Sequence, residues 1–340
     1  MRFGTFLVRR LCYSVLVLFG LSITIFVIAR MLPGDPARLA LGSFATEEQV
    51  QHLREDMGMD RPLPAQYVSY IMGLFRGDFG LSFQTRRAVS LDIGHYLPAT
   101  LELVTVSMVW VLLFGVVFGV LAGRYKDTWI DNVVRVIAFV GVAVPPFVAG
   151  LLFQFIFSYS LDILPTTGRL SLLVTPPTAH TGFLILDCIV DGNWHALGDS
   201  LRHILLPSLA MAWGGIGQIA RLTRASVSDV AGRDYIEASR AFGISERTVS
   251  QKYMLKPAFI APLTILGLTF ASELSNAFLI ETVFSWPGLA KYGDRAILMK
   301  DFNAVMGTVL IVGLAFLLIN IVVDILAGFV DPRIRVEQES

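Results

Sequence analysis

The sequence predicts an all-α integral membrane protein that crosses the bilayer six times. Three observations lead there. Of 340 residues, 54% are hydrophobic and 16% charged, against roughly 25% charged in an ordinary soluble domain. Uncharged runs of about 20 residues recur along the chain, the length a helix needs to span hydrocarbon. Basic residues also favour alternate short loops, as the positive-inside rule requires. Formal net charge is zero, so a general attraction to nucleic acid has no support. The two cysteines, Cys12 and Cys188, are expected on opposite sides of the bilayer and so do not pair.

The first span is Leu11–Ala29, 19 residues without charge between Arg9-Arg10 and Arg30. It is long for a signal-peptide core and no A-x-A site follows. Its basic leader places the N-terminus in the cytoplasm, so residues 1–30 form one segment. Residues 31–98 read as an ordered extracytoplasmic region. It holds Pro33-Gly34-Asp35-Pro36, Arg61–Pro64 and Gly77-Asp78-Phe79-Gly80, with a short capped helix at Thr46–Met57. The membrane core, 99–323, begins with a second span, 99–123, carrying Glu102 near its outer end. A third, 136–161, is uncharged but interrupted by Val144-Pro145-Pro146. Those prolines leave carbonyls unpaired, which predicts a kink facing protein or a cavity.

Asp162–His203 holds four acids against two bases, as an outer loop should. The fourth span, 204–220, has Gly214, Gly215 and Gly217 for close packing. Residues 221–258 follow as a cytoplasmic loop, with seven bases against four acids over Arg221–Lys256. The fifth span, 259–280, holds Glu273 and Asn276 one turn apart. The Phe284–Leu289 stretch, FSWPGL, reads as a turn at the membrane interface. A last span at 304–323 leads to a cytoplasmic tail, 324–340.

Motifs of intrinsic chemistry are missing. There is no G-x-x-x-x-G-K-S/T phosphate cradle, no H-E-x-x-H pair and no G-x-S-x-G elbow. An enzyme is not expected, nor a cofactor or resident metal. The intramembrane polar side chains are Glu102, Gln154, Gln218, Glu273 and Asn276. A carboxylate in a span is costly and points to function by default. Glu102 is close enough to an interface to reach water. Glu273 shares a helix face with Thr269 and Asn276, and both cavity lining and interhelical pairing are open to it.

One cytoplasmic stretch stands apart: Asp234–Pro257 is charged and rich in helix punctuation. Asp234 and Glu237 have capping-box spacing, Gly243 suits a left-handed helix end, Ser245 can cap a second helix, and Pro257 limits its run. Tyr235, Ala238, Ser239 and Phe242 share one face of the first helix. On these residues alone, a solvated helical loop and a protein-docking surface are both open.

Glu237-Ala238-Ser239 with Gly243, in a cytoplasmic loop before the penultimate span, resembles the EAA loop of ABC importer permeases. Pro33–Pro36, Gly77–Gly80, Leu97–Leu103, Asp234-Tyr235-Ile236, Phe284–Gly288 and Asp331-Pro332-Arg333 extend the likeness over nearly the whole chain, to the dipeptide, oligopeptide and nickel group. Ser239 departs from the pattern where a second alanine is usual, Phe242 where lysine is common, and Lys256-Pro257 where Arg-Asn is usual. The resemblance implies the type I importer fold. It also implies a second homologous permease subunit, two cytoplasmic ATPases and an extracytoplasmic solute-binding protein. It assigns ATPase coupling to Asp234, Tyr235, Glu237, Ala238, Ser239, Arg240, Phe242 and Gly243, and leaves Glu102, Gln218, Glu273 and Asn276 as pathway or interhelical residues. The expected cargo is di- or oligopeptides, the alternative being nickel complexes, glutathione or another small solute on the same machinery. A self-sufficient ion-coupled carrier using Glu102 and Glu273 is the reading from another class.

Overall fold

The computed structural model describes residues 3–31, 36–42, 44–56 and 58–330. Most of the Pro33–Pro36 motif, Met57, and the tail with Asp331-Pro332-Arg333 lie outside the described residues. In chain order the helices are α1 (Phe3–Met31), α2 (Pro36–Leu41), α3 (Glu47–Asp56), α4 (Leu63–Phe75), α5 (Val89–Trp110), α6 (Val116–Arg124), α7 (Trp129–Ala143), α8 (Pro146–Phe153), α9 (Leu184–Val190), α10 (Trp194–Ala231), α11 (Asp234–Ala241), α12 (Glu246–Thr248), α13 (Lys256–Ala258), α14 (Ile260–Val283), α15 (Leu289–Leu298) and α16 (Phe302–Val330). Wide π-helical turns continue the chain at Val111–Gly115, Gln154–Ser160 and Val249–Leu255. The described residues contain no strand, only an isolated bridge between Leu81 and Ala88.

Val8–Arg30, Val89–Arg124 and Phe302–Val323 are each long and apolar enough to cross a membrane. The pair Trp129–Ala143 and Pro146–Ser160 passes that test only together. It is therefore not one straight span over 136–161. The two halves meet at 107°. Val144, preceding a proline, is extended at φ −90°, ψ 119°, and Pro145 follows in the same region at φ −57°, ψ 141°. Pro146 then opens α8, where its missing N–H costs nothing.

The chain divides into two compact units. One comprises residues 7–100 and 287–317. Its core joins Ile25, Phe26 and Ala29 of α1 to Val89 and Ile93 of α5, Leu289, Tyr292 and Ala296 of α15, and Phe302, Ala304, Val305, Met306 and Leu310 of α16. Burial of Val89 and Ile93 starts α5 ten residues before the predicted Ala99, so Pro98 lies inside a helix. Buried carboxylates tie the outer turns: Asp92 accepts from Tyr292 Oη at 3.1 Å and pairs with Arg87 at 2.7 Å. Asp301 accepts from the Ser82 hydroxyl and the Gln84 N–H. Thr100 Oγ1 accepts from Leu289 N at 2.8 Å and so caps α15. Thr46 and Gln49 bond each other's N–H groups at the start of α3, a reciprocal capping pair.

The other unit comprises residues 1–6, 101–286 and 318–340. At 38 residues α10 is roughly 57 Å long by the 1.5 Å helical rise. Glycine lets its neighbours approach. Gly115, Gly119 and Gly123 recur every fourth residue and face Ile219, Thr223 and Val227 of α10; a Cβ on Gly119 would stand 2.4 Å from Thr223 Cβ. On another side Gly217 meets Ala138 O, where a Cβ would be 2.5 Å away. These are small-xxx-small contacts, which suit helices with no water to expel between them. Asp131 at the start of α7 is fully buried and bound by Arg224.

Trp286 of the FSWPGL turn packs inside the protein. It is 1% exposed, with the Arg169 guanidinium 5.5 Å from its ring centroid. Ser285 takes a left-handed turn at φ 49°, which carries the indole inward.

Candidate functional site

The Asp234–Pro257 segment forms a short helix, a turn and a second helical stretch. Ile236 anchors α11: it is wholly buried with Val227, Val249, Met254 and Ala258. That anchor sets the register. Arg233, extended at φ −83°, ψ 140°, takes the N-cap position and Asp234 is already helical. The predicted capping box does not form; Asp234 and Glu237 sit in the first turn, where their charge favours the positive helix end.

The C-terminal end is a Schellman closure: Ile244 N–H reaches Ser239 O at 3.2 Å and Gly243 N–H reaches Arg240 O at 2.9 Å. Gly243 has φ +75°. Ser245 caps the next stretch, accepting from Thr248 N. Pro257 does not end that stretch: it lies in α13, beyond the π turn Val249–Leu255. A wide turn relieves the carbonyl contact that a proline ring makes in an α-helix.

The sequence-picked residues fall into two groups on α11. Ser239 Oγ donates to Tyr235 O at 2.7 Å, Tyr235 Oη donates to Tyr253 O at 3.3 Å, and Arg240 pairs with Glu246 at 2.7 Å. These contacts hold the turn. Glu237 and Ala238 are exposed, and Phe242 is 86% exposed at the tip. The glycine-closed turn thus leaves a large aromatic in solvent at its tip.

A second site lies where α7 breaks. A cavity of about 220 Å³ is bounded by residues 141–146, by Gly214, Gly215, Gln218 and Arg221 of α10, and by Thr269, Ser272, Glu273 and Asn276 of α14. Glu273 is 2% exposed and accepts from Ser107 Oγ at 3.0 Å. Gly215 makes room for it; a Cβ there would lie 3.0 Å from Glu273 Oε1. The prolines that interrupt the span thus open onto Gln218, Glu273 and Asn276 together. What this set offers is hydrogen bonding and charge compensation in an otherwise apolar helix assembly.

Glu102 belongs elsewhere. It is 5% exposed rather than open to water, and it accepts from Arg169 and from Ile185 N at 2.7 Å. With Trp286 beneath Arg169, it organises the 162–203 region. Gln154 likewise ties loops, donating to Thr166 O at 2.8 Å and Val283 O at 3.3 Å. Nearby, Asp187 accepts from Thr181 N, Thr181 Oγ1 and Gly182 N. Burial pushes the Asp187 carboxyl up, but these donors outweigh it and leave the group below its ordinary value.

Two features escaped the sequence reading. The Asp131–Arg224 pair joins residues 93 apart, with no local signal to find it. The Gly115/Gly119/Gly123 stripe was legible as a repeated G-x-x-x-G spacing.

Residues 115–336 match the family model described as binding-protein-dependent transport system inner membrane component, and residues 3–104 match its N-terminal counterpart. The probable D,D-dipeptide transport system permease protein DdpB of Escherichia coli (strain K12) is 38% identical over 329 residues, 96% of this chain and 97% of that protein. The dipeptide transport system permease protein DppB of Alkalihalophilus pseudofirmus is 36% identical over 327 residues, covering 96% and 98%. The glutathione transport system permease protein GsiC of Escherichia coli (strain K12) is 35% identical over 330 residues, covering 97% and 98%. The family match spans most of the chain and the relatives align end to end. This all-helical membrane protein belongs to the binding-protein-dependent transport system inner membrane components.

Proposed function

We propose that the chain is the transmembrane permease subunit of an ATP-driven importer of di- and oligopeptides delivered by an extracytoplasmic binding protein. The observation that carries the reading is α11: anchored by Ile236, closed by left-handed Gly243 and tipped by exposed Phe242. On this reading α11 is the coupling helix, and Asp234, Tyr235, Glu237, Ala238, Ser239, Arg240, Phe242 and Gly243 form or support the face that meets an ATPase. Two ATPases and a second homologous permease complete the assembly in the cytoplasmic membrane. The chain hydrolyses nothing itself.

Six spans are assigned, with both termini cytoplasmic by the loop charges. The extracytoplasmic region is 31–98, the core 99–323 and the cytoplasmic coupling loop 221–258. Closure of the ATPases moves α11. The flanking α10 and α14 then move as levers, and the cavity they share at Gln218, Glu273 and Asn276 is exposed to one side and then the other. This is rigid-body alternating access. Dipeptide permeases among the relatives support the peptide cargo.

The likeness to a glutathione permease favours a second cargo on the same machinery. Proteoliposomes carrying the whole importer, its binding protein, ATP and labelled dialanine or glutathione test both. ATP-dependent uptake of dialanine is the expected result. Uptake of glutathione alone would replace the cargo, and uptake by this chain alone on a proton gradient would overturn the importer reading.

A further inference from the structure

A groove of about 350 Å³ lies between α6, α10 and the π turn that leads into α13, all within the unit that holds residues 101–286. Val116, Val120, Val227, Leu255 and Phe259 supply its carbon wall. Four of these, Val116, Val120, Leu255 and Phe259, are only half-buried, so the wall keeps carbon surface that a ligand can touch. Thr223 also lines the groove, but its hydroxyl oxygen is buried and takes no part.

Water is a poor occupant. One molecule needs two to four polar partners, and carbon dominates this wall. At about 30 Å³ for each group of water's size, the space takes roughly ten of them. That is a stretch of one hydrocarbon chain.

The surrounding chain indicates which hydrocarbon is at hand. Val116 and Val120 lie near the end of Val89–Arg124, a stretch long and apolar enough to cross a membrane. Phe259 opens the apolar run that reaches Ile280. Between the two runs Arg221–Lys256 carries seven bases against four acids. The groove therefore straddles the boundary between membrane-crossing helix and basic loop, where a phospholipid changes from acyl chain to phosphate.

Cations stand at that boundary. Lys256 lines the groove, is exposed, and makes no ion pair among the described residues. Its ammonium rides on a flexible four-carbon stem, so it needs no fixed direction to meet a phosphate at the rim. Arg124 is exposed four residues after Val120 and continues the Val116–Val120 face of α6. Gln251, also exposed and lining the groove, adds amide donors.

We propose that the groove seats an anionic phospholipid, one acyl chain along Val116, Val120 and Phe259 and its phosphate at Lys256, with Arg124 and Gln251 beside it. Basic pockets between membrane helices attract such headgroups on the cytoplasmic side. Only the choice of leaflet rests on the topology proposed above; the lipid chemistry rests on the groove. Val227 and Ala258 belong both to this groove and to the cluster that buries Ile236, so an occupied groove supports the anchor of α11.

The test uses the full-length chain in dodecyl maltoside, with phosphatidylglycerol and phosphatidylcholine of identical acyl chains as probes and native mass spectrometry as readout. Wild type should bind one phosphatidylglycerol about fivefold more tightly than phosphatidylcholine, the factor one cation near a headgroup contributes. Lys256→Gln, an exposed change that should leave the melting temperature unaltered, should remove most of that preference. Val116→Phe, which fills the groove, should weaken both lipids; Lys256→Gln serves if it folds poorly. Arg76→Gln, an exposed base in the other unit, should change neither. Equal binding of the two lipids by wild type overturns the proposal, as does a preference that survives Lys256→Gln. Displacement of phosphatidylglycerol by inorganic phosphate, but not by chloride at equal ionic strength, overturns it in favour of a free anion. In the assembled importer, lipid binding indifferent to Val116→Phe overturns it in favour of a partner helix in the groove. The importer reading stands or falls separately, on the uptake assays.

Discussion

Asp131 and Arg224 stand 93 residues apart in the sequence and meet in a two-bonded ion pair, Arg224 Nη2 donating to Asp131 Oδ2 at 2.7 Å and Nε to Oδ1. Asp131 has no exposed surface, and its Oδ2 also accepts from Asp127 N at 3.0 Å. The pair pins the start of α7 to α10 just below the glycine contacts. Removing Arg224 leaves Asp131 with the more distant Arg135, 3.6 Å away, as its cationic partner, so Arg224→Leu should destabilise the chain by about 3 kcal/mol, the lower end of the cost of breaking a buried pair. Replacing both, Asp131→Leu with Arg224→Leu, should cost less than the single change. Melting temperatures of the three variants in one detergent check this; a double variant as unstable as the sum of two singles contradicts it.

Gly119 is the tightest of the three stripe glycines. A Cβ there would lie 2.4 Å from Thr223 Cβ and 2.7 Å from Ala220 O. Because one obstacle is backbone, α6 and α10 must separate. Gly119→Val should cost on the order of 1–3 kcal/mol or more, while Gly20→Val, where nothing lies within 4 Å, should cost far less. Thermal melts of the two side by side test the close approach.

At Gly243 the constraint is conformational rather than spatial. Nothing lies within 4 Å of an added Cβ, but φ is +75°. Gly243→Val should therefore cost about 1–2 kcal/mol of backbone strain, concentrated in the turn after α11. Membrane insertion should stay normal while transport and ATP hydrolysis uncouple. Gly243→Asn, whose side chain tolerates the left-handed region, should keep more activity. ATP hydrolysed per solute moved is the measurement, and unchanged coupling in Gly243→Val would count against the role assigned to this turn.

Asp187 should make the 162–203 region sensitive to acid. Its folded value lies below the unfolded one of about 3.9. The stability it contributes is thus fully present above that unfolded value and is lost as pH falls through the folded one. Between pH 5 and 8 the loop should be indifferent to pH on this account; below about pH 4 it should loosen. Limited proteolysis across a pH series reads this directly. Asp187→Asn should bring the open-loop cleavage pattern to neutral pH.

Val8–Arg30, Val89–Arg124, Phe302–Val323 and the bent pair Trp129–Ala143 and Pro146–Ser160 were legible because an apolar run long enough to cross a membrane shows in length and lack of charge, independent of partners. The prolines at 145 and 146 announced an interruption, and Gly243 and Ser245 announced a helix end and a start. The misses are local rules overruled by burial. Asp234 lost the cap position because Ile236 is drawn into the cluster with Val227 and Val249, which sets α11 to begin one residue after Arg233. Trp286 packs inward because Ser285 turns it under Arg169. The α5 start moved to Val89 because Val89 and Ile93 complete a core with α15 and α16.

By itself the sequence determined the class of molecule, the family, and the charged 234–257 segment with its left-handed glycine. Each of these follows from runs, spacings or single conformational needs within a few residues. Tertiary structure alone decided that the 107° break opens onto Gln218, Glu273 and Asn276, that Glu102 turns away to Arg169, and that Asp131 finds Arg224. Those outcomes depend on which side chains distant in sequence must satisfy a charge or fill a groove together. Only a folded chain brings those partners within reach.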